Sequence, residues 1–128
     1  MIAGYNTKIT SVRFPDFAGD GKVPLFKAPA VGATVLRAYA IPDAAFDADG
    51  SNHYTVRLLD GGQAGVGTDV MAAAGGASVD WTAFTEKALA LSAPSVDGGD
   101  WVIVQYDEQG TVAPGNLVVC VEWTAGGD

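Results

Sequence analysis

The sequence predicts an all-β domain, an antiparallel two-sheet β-sandwich of about seven to eight strands with an N-terminal extension. Three observations predict it. Apolar residues recur with period 2 in short runs. Those runs are bounded by Gly, Pro, Asp and Asn. No stretch combines helix caps with a 3.6-residue apolar period.

The elements follow in order. Residues 7–14 and 23–27 read as weaker strands, parted by residues 16–22, where Gly19-Asp20-Gly21 marks a flexible break. This divides the chain into residues 1–27, an N-terminal arm or pair of edge strands, and residues 28–128, the sandwich. Residues 33–41 carry β-formers in both registers, so a strand is predicted without an assigned inner face. Pro42 ends it, because proline cannot donate to a ladder. In residues 53–59, Tyr54, Val56 and Leu58 alternate with His53, Thr55 and Arg57, the pattern of a half-buried strand. Asp60-Gly61-Gly62 closes that strand.

Residues 61–78, rich in Gly and Ala, read as a long loop. Residues 79–84 are short enough for one helical turn, but Trp81 and Phe84 are expected to plug the end of the sandwich. Residues 87–92 place Leu89 and Leu91 on one side of a strand. Residues 101–107 alternate Val102, Val104 and Tyr106 against Trp101, Ile103 and Gln105. In residues 116–123, Leu117, Val119, Val121 and Trp123 form the face predicted to point into the core of a central strand. The intervening Gly110 and Pro114-Gly115 favour turns, so these last two strands are expected to pair as an antiparallel hairpin.

Composition bounds the function. Among the 128 residues, seven Lys and Arg stand against fifteen Asp and Glu, a formal charge of -8. Such a chain repels polyanions, so nucleic acid is not an expected partner. No segment reaches the roughly 20 apolar residues of a membrane helix. Residues 1–10 have neither the basic region nor the apolar run of a signal peptide, so synthesis and residence in a cytoplasm are expected. Cys120 is the single cysteine and forms no internal disulfide. Charged residues are 17% of the chain against a usual quarter or so, which suits a surface that faces another protein as well as a thrifty monomer.

Candidate chemistry is sparse. His53 lies on the predicted outer face of its strand, while Cys120, between Val119 and Val121, reads as a small buried apolar residue. No catalytic pair is predicted from them. Asp43, Asp47, Asp49, Ser51 and Asn52 supply oxygens in the manner of a calcium loop. Counting from Asp47, however, the sixth and twelfth positions are Asn52 and Leu58, where an EF-hand needs Gly and Glu, so the segment reads as a turn. Trp81, Trp101 and Trp123 admit a carbohydrate-binding module if they form an exposed platform, and core packing otherwise. Gly98-Gly99 and Gly61-Gly62 lack the context of a phosphate cradle. No catalytic residue, cofactor or metal site is predicted.

Several phrases, taken in order, carry a resemblance: Ala28-Pro29-Ala30-Val31-Gly32-Ala33-Thr34-Val35, Tyr39-Ala40-Ile41-Pro42-Asp43-Ala44-Ala45, and Asn52-His53-Tyr54-Thr55-Val56-Arg57-Leu58. Gly99-Asp100-Trp101-Val102-Ile103-Val104 and Pro114-Gly115-Asn116-Leu117-Val118-Val119-Cys120-Val121-Glu122-Trp123 complete the set. Together, over residues 28–124, they resemble small virion proteins of tailed bacteriophages, the capsid decoration or cement proteins with a β-sandwich or jelly-roll fold. The resemblance implies a non-enzymatic structural protein on the outer surface of the capsid. It would be a homotrimer that binds the major capsid protein and stabilises contacts between its subunits. The competing reading is a carbohydrate- or receptor-binding module of a tail fibre or secreted protein.

No motif of that family transfers individual contact residues. Tyr5, Phe14, Phe17 and Phe26 are the expected partner-binding residues, because they are apolar side chains in a polar or Gly-rich arm. Completion of the sandwich is the alternative role for the same four.

Overall fold

A computed structural model describes residues 7–14, 20–112 and 115–126. Among them there are nine strands and no helix. The strands are β1 (Lys8–Phe14), β2 (Gly21–Lys27), β3 (Ala33–Pro42), β4 (His53–Asp60), β5 (Asp69–Gly75), β6 (Lys87–Leu91), β7 (Ser95–Val96), β8 (Trp101–Gln109) and β9 (Leu117–Ala125). Every pairing is antiparallel, in the order β1-β9-β3-β6-β5-β4-β8-β2, with β7 added to the start of β3.

This is an all-β antiparallel fold, but its strands form one continuous sheet rather than two. β6 pairs with β3 on one side and β5 on the other, joining the halves that a sandwich keeps apart. β1 and β2, at the two ends of the order, lie against each other without a ladder, so the sheet is a barrel closed except at one seam. Side chains bridge that seam. Trp123 of β9 donates from Nε1 to Thr10 Oγ1 of β1 at 3.0 Å and stacks on Phe26 of β2.

The interior follows from alternation. On β9, Leu117, Val119, Val121 and Trp123 are buried, as their spacing predicts, and the strand is paired on both sides. On β3 the inner set is Ala33 and Val35, then Ala38 and Ala40. A register shift between Val35 and Arg37 moves the inward phase by one residue. A bulge of this kind adds one residue and reverses the faces beyond it, which is why neither register alone accounts for the strand. Tyr54, Val56 and Leu58 of β4 and Val102, Val104 and Tyr106 of β8 complete the wall. Each Val or Leu among them, fully buried, contributes on the order of 1.5–3 kcal/mol of apolar transfer.

The fold departs from three further expectations. β8 and β9 are not a hairpin: β8 lies between β4 and β2, and β9 between β1 and β3. Both edges of each strand are occupied by these other partners, so the two strands do not pair with each other. Turn chemistry places a bend but not the partner of the strand that follows.

The Gly- and Ala-rich stretch contains β5, whose Met71 and Ala72 are in the core. Residues 61–65 pack closely on β8. At Gly61 a Cβ would come within 2.5 Å of Ile103 Cδ1, so a side chain there would have to displace the end of Ile103. Under this loop Ile103 and Leu59 are buried, although they lie outside the main core cluster.

Finally, Trp81 does plug the barrel end, where it is 1% exposed, but Phe84 does not and is 79% exposed. Leu91, paired with Leu89 by spacing, also reaches solvent.

Candidate functional site

The strands carry the predicted chemical groups to separate places. His53 faces outward on β4, with Nδ1 3.0 Å from the Asp49 carbonyl. Cys120 faces outward on β9, opposite Tyr39 of β3. It is partly exposed rather than buried, since the inward places of β9 are taken by Val119 and Val121. β3, β6 and β5 stand between the strands of His53 and Cys120, so the two are not brought together. Desolvation, with the Glu86 and Glu122 carboxylates, holds the Cys120 thiol above its ordinary pKa against the Tyr39 hydrogen bond. A thiol held protonated is a poor nucleophile.

The acidic turn is built from its own hydrogen bonds. Asp49 Oδ1 accepts from Ser51 N and Asn52 N, both at 2.8 Å, and these bonds hold its carboxyl below the usual range. Asn52 Oδ1 accepts from Thr111 N, Asp80 Oδ1 from Ala48 N, and Asp43 from the backbone and side chain of Asn116. The carboxylates clasp different segments and, among the described residues, no three His, Cys, Asp or Glu side chains converge as a metal site. This is turn chemistry of the kind the residue types favour.

Two tryptophans are interior. Trp81 stacks on Tyr54 and Trp123 seals the seam. Trp101 differs: it points outward from β8, partly exposed, and floors a pocket of about 340 Å³ lined by Lys22, Pro24, Ala64, Gly65 and Ile103. Lys27 Nζ lies 6.0 Å from its ring centroid. β2 supplies one wall of this pocket and the Gly-rich loop the other. The sequence contains both walls, but nothing local in it says that residues 22–24, 64–65 and 101–103 meet.

Of the expected contact residues, Phe14 is 2% exposed in the core and Phe26 packs on Trp123. Tyr5 and Phe17 lie outside the described residues. The described apolar side chains most open to solvent are Phe84, Val66, Ile9 and Val31. Phe84 is unusual twice over. It follows Ala83 in a turn closed by Thr85 N donating to Thr82 O, and it takes a left-handed φ of 56°. A turn position of positive φ ordinarily selects Gly or Asn. A bulky residue there costs on the order of 1–3 kcal/mol. Its N–H donates to Pro42 O at 2.8 Å, which fixes the turn to the end of β3. Pattern reading missed this residue because a Phe near a Trp looks like core.

A third surface lies over the outward side of β3 and β9. Arg37 contacts Glu86 at 2.6 Å and Glu122 at 3.4 Å, and stacks over Tyr39 at 4.2 Å. The Glu86 hydrogen bond raises the Arg37 pKa further, so the guanidinium stays charged. Exposed pairs of this kind add little stability.

No helix among the described residues is long and apolar enough to cross a membrane. In comparisons with protein-family models, curated proteins and solved structures, nothing matched the chain.

Proposed function

We propose that the protein is a bacteriophage capsid decoration protein: a non-enzymatic homotrimer that binds the outer surface of the head and stabilises contacts between major capsid protein subunits. The observation that carries a contact role is Phe84, an aromatic held in solvent on a strained turn of a hydrogen-bonded β scaffold. A large side chain kept at such a position is better suited to a partner than to its own core. The ordered phrases over residues 28–124 supply the phage reading, and the low charged content suits a surface used for protein contact.

The resemblance implies a two-sheet sandwich or jelly roll, and a barrel with one open seam serves the same purpose, a rigid support for turns. In this reading Tyr5 and Phe17 remain partner-binding residues of the opening segment, while Phe14 and Phe26 hold the scaffold. The test is a cryo-EM reconstruction of undecorated shells mixed with the protein. Density over junctions between shell subunits is expected, and shells that stay bare overturn the reading.

A second reading has one observation in its favour. Trp101, partly exposed in a pocket, is the type of surface that stacks on a sugar ring in a carbohydrate-binding module of a tail fibre or secreted protein. Glycan binding abolished by Trp101→Ala would favour it over the first.

A further inference from the structure

We propose that β1 is an exchangeable arm, which leaves the β9 edge of its own barrel and pairs with β9 of a second copy of this chain. The proposal deepens the self-association part of the reading above, and its test needs no shell.

Three observations carry it. First, β1 is held by a single ladder, to β9, running from Lys8↔Trp123 to Phe14↔Leu117. No ladder among the described residues joins it to β2, the strand that follows it in the chain. Because β1 stands at one end of the sheet order, its departure leaves every other ladder intact. Second, little of β1 is core. Lys8, Ile9, Ser11 and Arg13 are exposed, Ile9 by 67%, and only Val12 and Phe14 join the core cluster. Third, β2 has its own hold on β9, since Phe26 stacks on Trp123 at 4.2 Å. The seam therefore keeps a side-chain closure while the β9 edge stands open.

The occupant of that edge is fixed by identity. A β1 from another copy brings the same register, the same Thr10 hydroxyl to accept from Trp123 Nε1, and the same Val12 and Phe14 to fill the core. The exchanged and unexchanged forms thus contain the same contacts and differ in the connection, residues 15–20, and in the entropy of joining chains. Reciprocal exchange makes a two-fold dimer. Passing each β1 to the next copy in one direction closes a ring, and a ring of three is the homotrimer proposed above.

The register supplies the test. Ser11 and Cys120 are directly opposed in the β1–β9 ladder, and both point outward. Opposed Cα atoms of antiparallel strands lie about 4.5–5.5 Å apart, within the span of a disulfide. Cys120 is the single cysteine, so Ser11→Cys in the full chain reports which β9 each β1 occupies. Size-exclusion chromatography is expected to separate monomer from an oligomer that grows with concentration. Each fraction is then oxidised, denatured without reductant and weighed by mass spectrometry.

The monomer should yield single chains with an internal bridge, and the oligomer should yield chains linked from the introduced cysteine of one to Cys120 of the next. Wild type, and Ser11→Cys combined with Cys120→Ser, should give neither product. Melting of the reduced variant checks that it is folded. Ile9→Cys with Glu122→Cys and Cys120→Ser, the next outward pair of the same ladder, repeats the measurement if the first variant does not fold or close. A chain that stays monomeric at every concentration would overturn the proposal. So would an oligomer whose oxidised chains come apart in denaturant with every bridge internal, because its copies would be meeting through another surface. Loss of shell binding with exchange intact would instead contradict the capsid reading and leave this one standing.

Discussion

Phe26 lies flat on Trp123, with ring centroids 4.2 Å apart and planes 5° apart, and through this stack β2 is held to β9 across a seam where no backbone ladder runs. Thr10 accepts the indole proton on the other side, so one tryptophan ties three strands. Phe26→Ala should therefore destabilise the fold by about 2–4 kcal/mol, from the lost ring and the gap it leaves. Chemical denaturation measures this. An unchanged midpoint would show that the seam is held by other contacts.

Tyr54 and Trp81 stack at 4.5 Å inside the opposite wall, and neither the phenol hydroxyl nor the indole nitrogen has a hydrogen-bond partner among the described residues. Burial raises the Tyr54 pKa and keeps the hydroxyl neutral. An unpartnered buried hydroxyl costs about 1–3 kcal/mol, so Tyr54→Phe should leave stability unchanged or raise it by about 1 kcal/mol. Trp81→Ala, by contrast, should lose about 3–5 kcal/mol. A Tyr54→Phe variant that is markedly less stable would mean that the hydroxyl is bonded, for instance through an internal water.

Asp100 is held above the ordinary carboxylate pKa, first by desolvation, then by the neighbouring Asp60 carboxylate, with a smaller part from Asp97. A raised folded pKa means that the folded state binds this proton more tightly than the unfolded chain. Its contribution is complete below the unfolded pKa and is lost as pH rises through the folded one. Asp100→Asn should accordingly be more stable than the wild type at neutral pH, with the difference shrinking in acid. Melting temperatures across pH 3 to 8, about the window these shifts address, check the sign, and a difference that grows in acid would refute it.

Phe84→Gly should preserve or raise monomer stability by up to about 1 kcal/mol, since Gly adopts the left-handed turn without strain. Gly75→Ala should do the reverse. Its φ of 121° is hostile to a side chain, and the added Cβ would collide with the Tyr54 carbonyl oxygen of β4. Paired melts of these two variants separate a turn kept for its side chain from one kept for its backbone.

Much of the barrel wall was legible because alternation is a local signal. Leu117, Val119, Val121 and Trp123 declare their face whatever lies beside them, and so do Tyr54, Val56 and Leu58. The bulge before Arg37 was not legible, because both phases of β3 contain β-formers and the shift is set by pairing with β9. β5 escaped notice because Ala72, Ala73 and Ala74 are small and followed by two glycines, yet β5 is a strand of the barrel wall, with Met71 and Ala72 buried. The partner of β8 was likewise hidden, since pairing is decided across the whole chain.

The candidate contacts divide in the same way. For Phe14 and Phe26 the sequence left contact and core packing both open, because the residues they pack on are distant in sequence. Phe84 looked internal because nothing in its neighbours announces a positive φ, and the Trp101 pocket exists only where three separated segments meet.

The role proposed for this molecule is to bind a shell. Its most direct test is co-sedimentation of the protein with undecorated shells over a concentration series, followed by thermal disruption of the loaded particles. Saturable binding with a raised disruption temperature is the predicted result. Protein that stays in the supernatant at every concentration, with shells that melt as they do alone, would contradict it.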